Sequence, residues 1–307
     1  MSAPPVVAVV GPTASGKSDL AVDLALRVGG EVVNADAMQL YRGMDVGTAK
    51  LSLRRRRGVP HHLLDVLEPS APSSVAEFQR LARAVLDTLR ARGVTPILVG
   101  GSGLYVRAVL DDLEFPGTRP EVRRRLEAEL AAAGAPAMHA RLLAVDPAAA
   151  AAILPSNVRR VVRALEVVEI TGRPFSATLP DHRAVYPAVQ VGLDVPRDVL
   201  DRRIEARVDL MWRAGLVDEV RRLVGQGLRE GRTASRALGY AQVMRMLDGT
   251  GSEEEARDAT VRATRRFARR QDSWFRRDPR VTWLPYDAPD LVERAEAVLA
   301  SMRPAQA

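Results

Sequence analysis

Cysteine is absent from the 307 residues. Its absence excludes disulfides, thiolate metal sites, a cysteine nucleophile and a cysteine-ligated zinc finger, and it suits a cytoplasmic setting. Long apolar runs are missing too. None approaches the ~20 residues a bilayer-spanning helix needs, and residues 1–5 carry no basic segment followed by an apolar one, so neither export nor membrane insertion is expected. Lysine is the third scarcity: of the 45 basic residues only Lys17 and Lys50 are lysine, and the other 43 are arginine. Where positive charge is otherwise supplied by arginine, a retained lysine points to a place that needs a compact ammonium rather than a planar fork.

What is present begins with an excess of positive charge, Lys+Arg 45 against Asp+Glu 38, a formal +7. That balance suits a polyanionic partner but does not identify one. The length is about twice that of a typical domain and favours one sizeable core with a second, smaller lobe.

Residues 6–10 form a short apolar, β-branched run between Pro5 and Gly11, the pattern of a buried parallel strand. Residues 17–28 follow with Leu20, Ala21, Leu24, Ala25 and Val28 at helical spacing, ended by Gly29 and Gly30. A second strand is expected over 31–34 with Asp36 just past it, a helix over 75–92, and a third strand over 94–99 running into Gly100 and Gly101. Beyond Pro116 the pattern turns helical, and the clearest helix starts at Asn157 and stops at Gly172. Strand character returns over 189–195 and again over 281–284. Between them lie a stripe of Leu200, Ile204, Val208 and Met211, and a long helix opened by the capping-box pair Ser252 and Glu255. The fold class expected is α/β, a mainly parallel sheet flanked by helices in the manner of P-loop NTPases, with an inserted all-helical lobe. Residues 1–116 and 184–307 would form the core, and 117–183 the lobe.

Gly11-Pro12-Thr13-Ala14-Ser15-Gly16-Lys17-Ser18 fits the pattern G-x-x-x-x-G-K-[ST] and sits between a strand and a helix, as that motif requires. Its backbone N–H groups can converge on phosphate oxygens, Lys17 can reach the terminal phosphate, and Ser18 can ligand Mg²⁺. The loop does not say whether the ligand is ATP or another diphosphate. No apolar strand ends in the acidic residue expected of a nucleoside-triphosphate hydrolase, since 94–99 runs into Gly100-Gly101-Ser102. Asp36 is better placed to face whatever leaves the phosphates.

The loop is one of a series. Asn34-Ala35-Asp36-Ala37-Met38-Gln39-Leu40-Tyr41 and the residues following to Lys50, Pro60-His61-His62-Leu63-Leu64-Asp65, Gly100-Gly101-Ser102-Gly103-Leu104-Tyr105, Arg163-Ala164-Leu165-Glu166-Val167, Arg236-Ala237-Leu238-Gly239-Tyr240 and Arg269-Arg270-Gln271 follow it in order. Together they resemble the successive signatures of the tRNA dimethylallyltransferases over nearly the whole chain. The resemblance implies transfer of a dimethylallyl group from dimethylallyl diphosphate to N6 of the adenosine immediately 3′ of the anticodon. It further implies that Thr13 to Ser18 hold the diphosphate, with Mg²⁺ on Ser18, that Asp36 is the general base and that Arg207 grips the leaving group. By the same resemblance Asp36, Ala37, Met38, Gln39, Ser102, Arg123, Arg159, Arg160 and Arg163 face the tRNA. Ala37 stands where the family often has serine, and Ser102 where it usually has threonine, which leaves the base and the loop untouched. A monomer is expected, because no exposed apolar stripe stands out.

The chemistry is coherent on its own terms. The exocyclic amine of adenine is a poor nucleophile, so a carboxylate accepting its proton would assist attack, while cations on the departing diphosphate would lower the barrier. The adenine must first leave its stack. Arg54 to Arg57, the Arg159 group and Arg265 to Arg270 could follow an RNA backbone, although each taken alone also reads as a solvated face. Adjacent His61 and His62 suit loop anchoring better than metal binding. Trp212, Trp274 and Trp283 read as packing residues. Two other readings stay open: a P-loop small-molecule kinase in which Asp36 activates a hydroxyl, and a silent tRNA-binding protein.

Overall fold

Every residue of Val6–Val10 (β1) is fully buried, so the strand needs cover on both faces and takes a central place in the sheet. The computed structural model describes residues 3–178 and 183–302. Residues 1–2, 179–182 and 303–307, which belong to the ranges expected for the two lobes, lie outside the described residues. Along β1 the side chains alternate. Val6, Ala8 and Val10 enter one core with Phe78, Ala82 and Leu86 of Val75–Ala91 (α3) and Val106 and Val109 of Gly103–Leu110 (α4). Val7 and Val9 enter a second core with Leu20, Ala21, Leu24 and Ala25 of Lys17–Val28 (α1) and with Ala295 and Leu299 of Leu291–Ala300 (α12). This period-two alternation sandwiches the sheet between helical layers.

The other strands are Glu31–Asn34 (β2), His61–His62 (β3), Pro96–Gly100 (β4), Ala188–Asp194 (β5) and Val281–Pro285 (β6). They form one sheet in the order β3-β2-β4-β1-β5-β6, and every pairing in it is parallel. The expected strand over 94–99 begins later, at Pro96, because the N–H of Val94 still donates to the Leu89 carbonyl at the end of α3. Strand β3 went unforeseen. It is two residues long, too short to show a period, and it places the paired histidines on the sheet edge beside Val32 and Val33.

Leu53–Arg56 (α2) precedes β3, and Arg197–Arg213 (α8), Leu216–Val224 (α9), Tyr240–Leu247 (α10) and Glu253–Phe275 (α11) lie between β5 and β6. The capping box at the start of α11 forms in both directions, Ser252 Oγ accepting from Glu255 N and Glu255 Oε2 from Ser252 N.

Residues 1–110 and 184–307 form one compact unit and 111–183 another. The second contains Pro120–Val145 (α5), Pro147–Ala152 (α6) and Val158–Thr171 (α7), which close over a core of their own around Leu126, Leu142, Val161 and Leu165. Helix α5 breaks at Gly134, where φ is 80°, two residues before Pro136. Asn157 caps α7 by position only, with no side-chain hydrogen bond. Where the chain leaves the first unit and re-enters it, the Val185 N–H donates to the Leu110 carbonyl at 2.8 Å.

Candidate active site

The loop after β1 turns tightly, with Ser15 N donating to Pro12 O at 3.3 Å. It enters α1 through Gly16 at φ 103°, a conformation that a side chain would strain. Lys17 and Ser18 are therefore the first two residues of a helix, where backbone N–H groups have no intrahelical acceptor and the helix dipole is positive. The Lys17 ammonium folds back to donate to Pro12 O at 3.1 Å. Desolvation is the main cause that lowers its pKa to about 8; repulsion from Arg207 adds to this and attraction to Asp36 opposes it.

Asp36 leaves the carboxyl end of β2 on a scaffold made by Asn34. The buried Asn34 amide donates to the carbonyls of Asp36 and Leu63, both at 3.0 Å, and its Oδ1 accepts from Asp36 N at 2.9 Å. Asp36 Oδ1 accepts from Met38 N at 2.8 Å, and Oδ2 makes no hydrogen bond with the described residues. A carboxylate held by one oxygen and free at the other is poised to receive a proton.

Arg207, in α8, donates to the Thr48 carbonyl at 3.3 Å. Burial lowers its pKa, Arg55 adds to that effect, and Asp36 opposes it. One turn earlier, Arg203 donates to Ser15 O at 3.3 Å and lies over the Tyr286 ring, 4.4 Å from its centre. Two cavities meet along α8, for Arg207 and Met211 line both. One, of about 800 Å³, is lined by Lys17, Ser18, Arg55, Arg56 and Arg203. The other, of about 410 Å³, is lined by Thr13, Asp36, Ala37, Met38 and Ser102, with Ile204, Val208 and Phe267 as apolar wall.

The fold thus gathers Lys17, Asp36 and Arg207, together with Thr13, Ala37, Met38 and Ser102. Gln39 does not line either cavity; its amide donates to Thr48 O at 3.2 Å, the same carbonyl that holds Arg207. Gln271 was overlooked as an individual residue. Buried in α11, it accepts from Thr13 N at 2.9 Å and donates to Gly101 O at 2.8 Å, stapling the phosphate loop to the turn after β4. A glutamine on the apolar side of an otherwise arginine-rich helix is the signal that could have found it.

In the helical unit Arg159 and Arg160 are exposed. Arg123 and Arg163 are engaged: both pair with one carboxylate oxygen of Glu166, at 3.1 and 2.9 Å, and Glu166 is 0% exposed. Arg163 also donates to the carbonyls of Pro116 and Gly117. Other arginines read as candidate RNA contacts are likewise paired within the chain, Arg55 with Asp19, Arg57 with Asp23 and Arg265 with Glu205. Arg270 lines the smaller cavity.

The two lysines have different surroundings. Lys50, 3% exposed at its side chain, donates to Tyr41 O, Asp45 Oδ1 and Asp65 Oδ1 at 3.0, 2.7 and 2.5 Å. Three acceptors converge on one point, which a forked guanidinium cannot match. Lys50→Arg is expected to lower stability by about 1–3 kcal/mol through overpacking, read as a lower urea midpoint at unchanged slope.

His61 Nδ1 lies 2.8 Å from Val59 O, and His62 Nε2 2.6 Å from Glu31 Oε2. Among the described residues no group of three or more His, Cys, Asp or Glu side chains is arranged to hold a metal, and no helix is long and apolar enough to cross a membrane. Trp212 and Trp283 pack at the edges of cores. Trp274 departs from the packing expectation in part: it covers Gly103 yet is 43% exposed.

The family model described as IPP transferase matches residues 39–278. A tRNA dimethylallyltransferase of Thermobifida fusca is 68% identical over 299 residues, covering 96% of this chain and 94% of its own. A solved structure of full-length tRNA isopentenylpyrophosphate transferase from Bacillus halodurans is 42% identical with a TM-score of 0.73, covering 97% of this chain and 96% of its own. A tRNA delta(2)-isopentenylpyrophosphate transferase from Staphylococcus epidermidis is 32% identical with a TM-score of 0.71, covering 97% of this chain and 98% of its own. With a phosphate loop, a facing carboxylate and matches of this extent, the chain belongs to the IPP transferase family.

Proposed function

We propose that the protein transfers the dimethylallyl group of dimethylallyl diphosphate to the exocyclic N6 amine of the adenosine immediately 3′ of the anticodon in tRNA, releasing diphosphate. The observation that carries this reading is the position of Arg207. It lines both cavities, with Lys17 and Ser18 on one and the Asp36 carboxylate on the other. The diphosphate sits against Lys17, Arg207 and the first-turn N–H groups of α1, and the allyl carbon points toward Asp36. The swung-out adenine occupies the smaller cavity, whose apolar wall suits both a base and a prenyl chain.

As the bond from N6 to the allyl carbon forms, the carbon–oxygen bond to diphosphate breaks and its electrons pass to the leaving group. Lys17 and Arg207 stabilise that growing charge, and Asp36 accepts the proton lost by N6 before passing it to water. Mg²⁺ fits this site in the way it fits phosphate loops generally. Ser18, the second residue of α1, lines the larger cavity and would offer its hydroxyl to the ion. When bound, the ion would add positive charge on the leaving group. The exposed Arg159 and Arg160, with Arg270 at the smaller cavity, supply contacts for tRNA, in keeping with the excess of basic residues. A cytoplasmic monomer completes the reading.

Mass analysis of tRNA nucleosides after incubation with dimethylallyl diphosphate and Mg²⁺ tests it: a gain of one dimethylallyl group on adenosine beside the anticodon is expected. A phosphorylated small molecule formed from ATP in a parallel reaction, with tRNA unchanged, would establish the kinase alternative. The named relatives lend that alternative no support. Arg207→Ala is expected to lower kcat/KM for dimethylallyl diphosphate by about 10²-fold, with KM for tRNA within about twofold of wild type. Unchanged kinetics would take Arg207 out of the site.

A further inference from the structure

Glu219 lies in α9, lines neither cavity, and is 6% exposed. Its carboxylate has no basic partner among the described residues, an arrangement that is unfavourable unless hydrogen bonds fill its oxygens. They do. Oε2 accepts from Asp45 N at 3.1 Å and Val46 N at 2.8 Å, and Oε1 accepts from Gly47 N at 3.1 Å and from the Tyr240 hydroxyl at 2.5 Å. Three consecutive backbone N–H groups of one loop thus close on a single side chain.

Tyr240, fully buried at the start of α10, completes the clamp. Burial, followed by the Glu219 charge, raises its pKa far above the ordinary phenol range, so the hydroxyl stays a donor at every working pH. Its ring lies flush on Gly47, where any side chain would overlap it. From the other side Lys50 holds Asp45, and Thr48 Oγ1 donates to Met44 O at 2.6 Å. The loop fixed in this way ends at the Thr48 carbonyl, which accepts from Arg207 at 3.3 Å and from Gln39 at 3.2 Å.

That carbonyl matters because of the forces on Arg207. Its guanidinium is desolvated, and Asp36 attracts it. Without a fixed acceptor at Thr48, nothing among its described hydrogen bonds would keep it from closing on Asp36, which would occupy the base and empty the leaving-group site. We propose that Glu219 and Tyr240 are positioning residues of the transferase: they lock residues 45–48 so that the Thr48 carbonyl holds the Arg207 guanidinium toward the diphosphate. The proposal rests on the reading of Arg207 given above.

The test is a double-mutant cycle on the full chain, with melting temperature and steady-state kinetics for both substrates. Glu219→Gln keeps the shape but turns an N–H₂ group toward loop donors. It is expected to lower kcat/KM for dimethylallyl diphosphate about tenfold, with KM for tRNA within about twofold. Tyr240→Phe keeps the ring over Gly47 and loses only the hydroxyl, and a loss of about threefold is expected; it carries the test if the Glu219 variant fails to fold. In an Arg207→Ala background the same substitutions should change kcat/KM by less than about twofold, since the residue they aim is gone. Full additivity in that background would overturn the proposal, as would Glu219→Gln and Tyr240→Phe variants both kinetically indistinguishable from wild type. If Arg207→Ala alone leaves kinetics unchanged, the reading of Arg207 falls and the lock falls with it, a result separable from additivity.

Discussion

Replacing Lys17 with alanine is expected to slow prenyl transfer by about 10²–10³-fold, or ~2.7–4 kcal/mol of transition-state stabilisation. The ammonium stands at the N-terminus of α1 beside the larger cavity, and charge accumulates on the diphosphate as the carbon–oxygen bond breaks. Tight binding of tRNA should persist, so the loss appears in kcat and in kcat/KM for the allyl diphosphate. Single-turnover rates with saturating tRNA check this, and a rate within about fivefold of wild type would remove Lys17 from the chemistry.

The same lysine gives a pH signature. Its pKa in the free protein is lowered to about 8, first by desolvation, while the unfolded chain keeps the ordinary value of 10.5. Above pH 8 the free protein loses the ammonium, so affinity for the diphosphate falls as pH rises through that value. Bound diphosphate favours the charged form, so binding just above pH 8 takes up a proton, measurable by calorimetry in buffers of different ionisation enthalpy. For folding the sign is the reverse of an ordinary ion pair: between pH 8 and 10.5 the unfolded chain binds more protons, so this group makes stability rise with pH in that window.

The second large effect belongs to Asp36. Asp36→Asn is the informative change because an amide oxygen can still accept from Met38 N and preserve the turn. Loss of the proposed proton acceptor is expected to lower kcat by about 10²–10⁴-fold. Binding of dimethylallyl diphosphate should be unchanged or tighter, because Asp36 now offsets the positive charge of Lys17 and Arg207, and removing it leaves that charge for the ligand. Retention of most of the rate, measured by nucleoside mass analysis across pH 6–9, would transfer the role of base elsewhere.

The sheet was legible where one residue pattern settles the outcome. Five buried apolar residues make β1, and the glycine loop before Lys17 leaves little choice but a turn into α1. Asp36 could be placed because a residue just past a parallel strand lies at the edge where ligands bind. Side-chain partnerships between distant elements were not legible. Arg123 and Arg163 lie 40 residues apart and read as surface charge, yet Glu166, inside a run that looks merely amphipathic, draws both onto one buried oxygen. Thr48 and Glu219 show no periodicity that marks them, because one acts through its backbone carbonyl and the other through three amides of a loop 172–174 residues away.

The hydrogen bond from Val185 to Leu110 has a consequence for how such a chain can change over time. Departure and return points are stitched side by side, so residues 111–184 begin and end at one hydrogen bond of the unit that carries the parallel sheet. A segment whose two ends meet at one hydrogen bond can be lengthened, trimmed or exchanged without altering the span that the sheet-bearing unit must close.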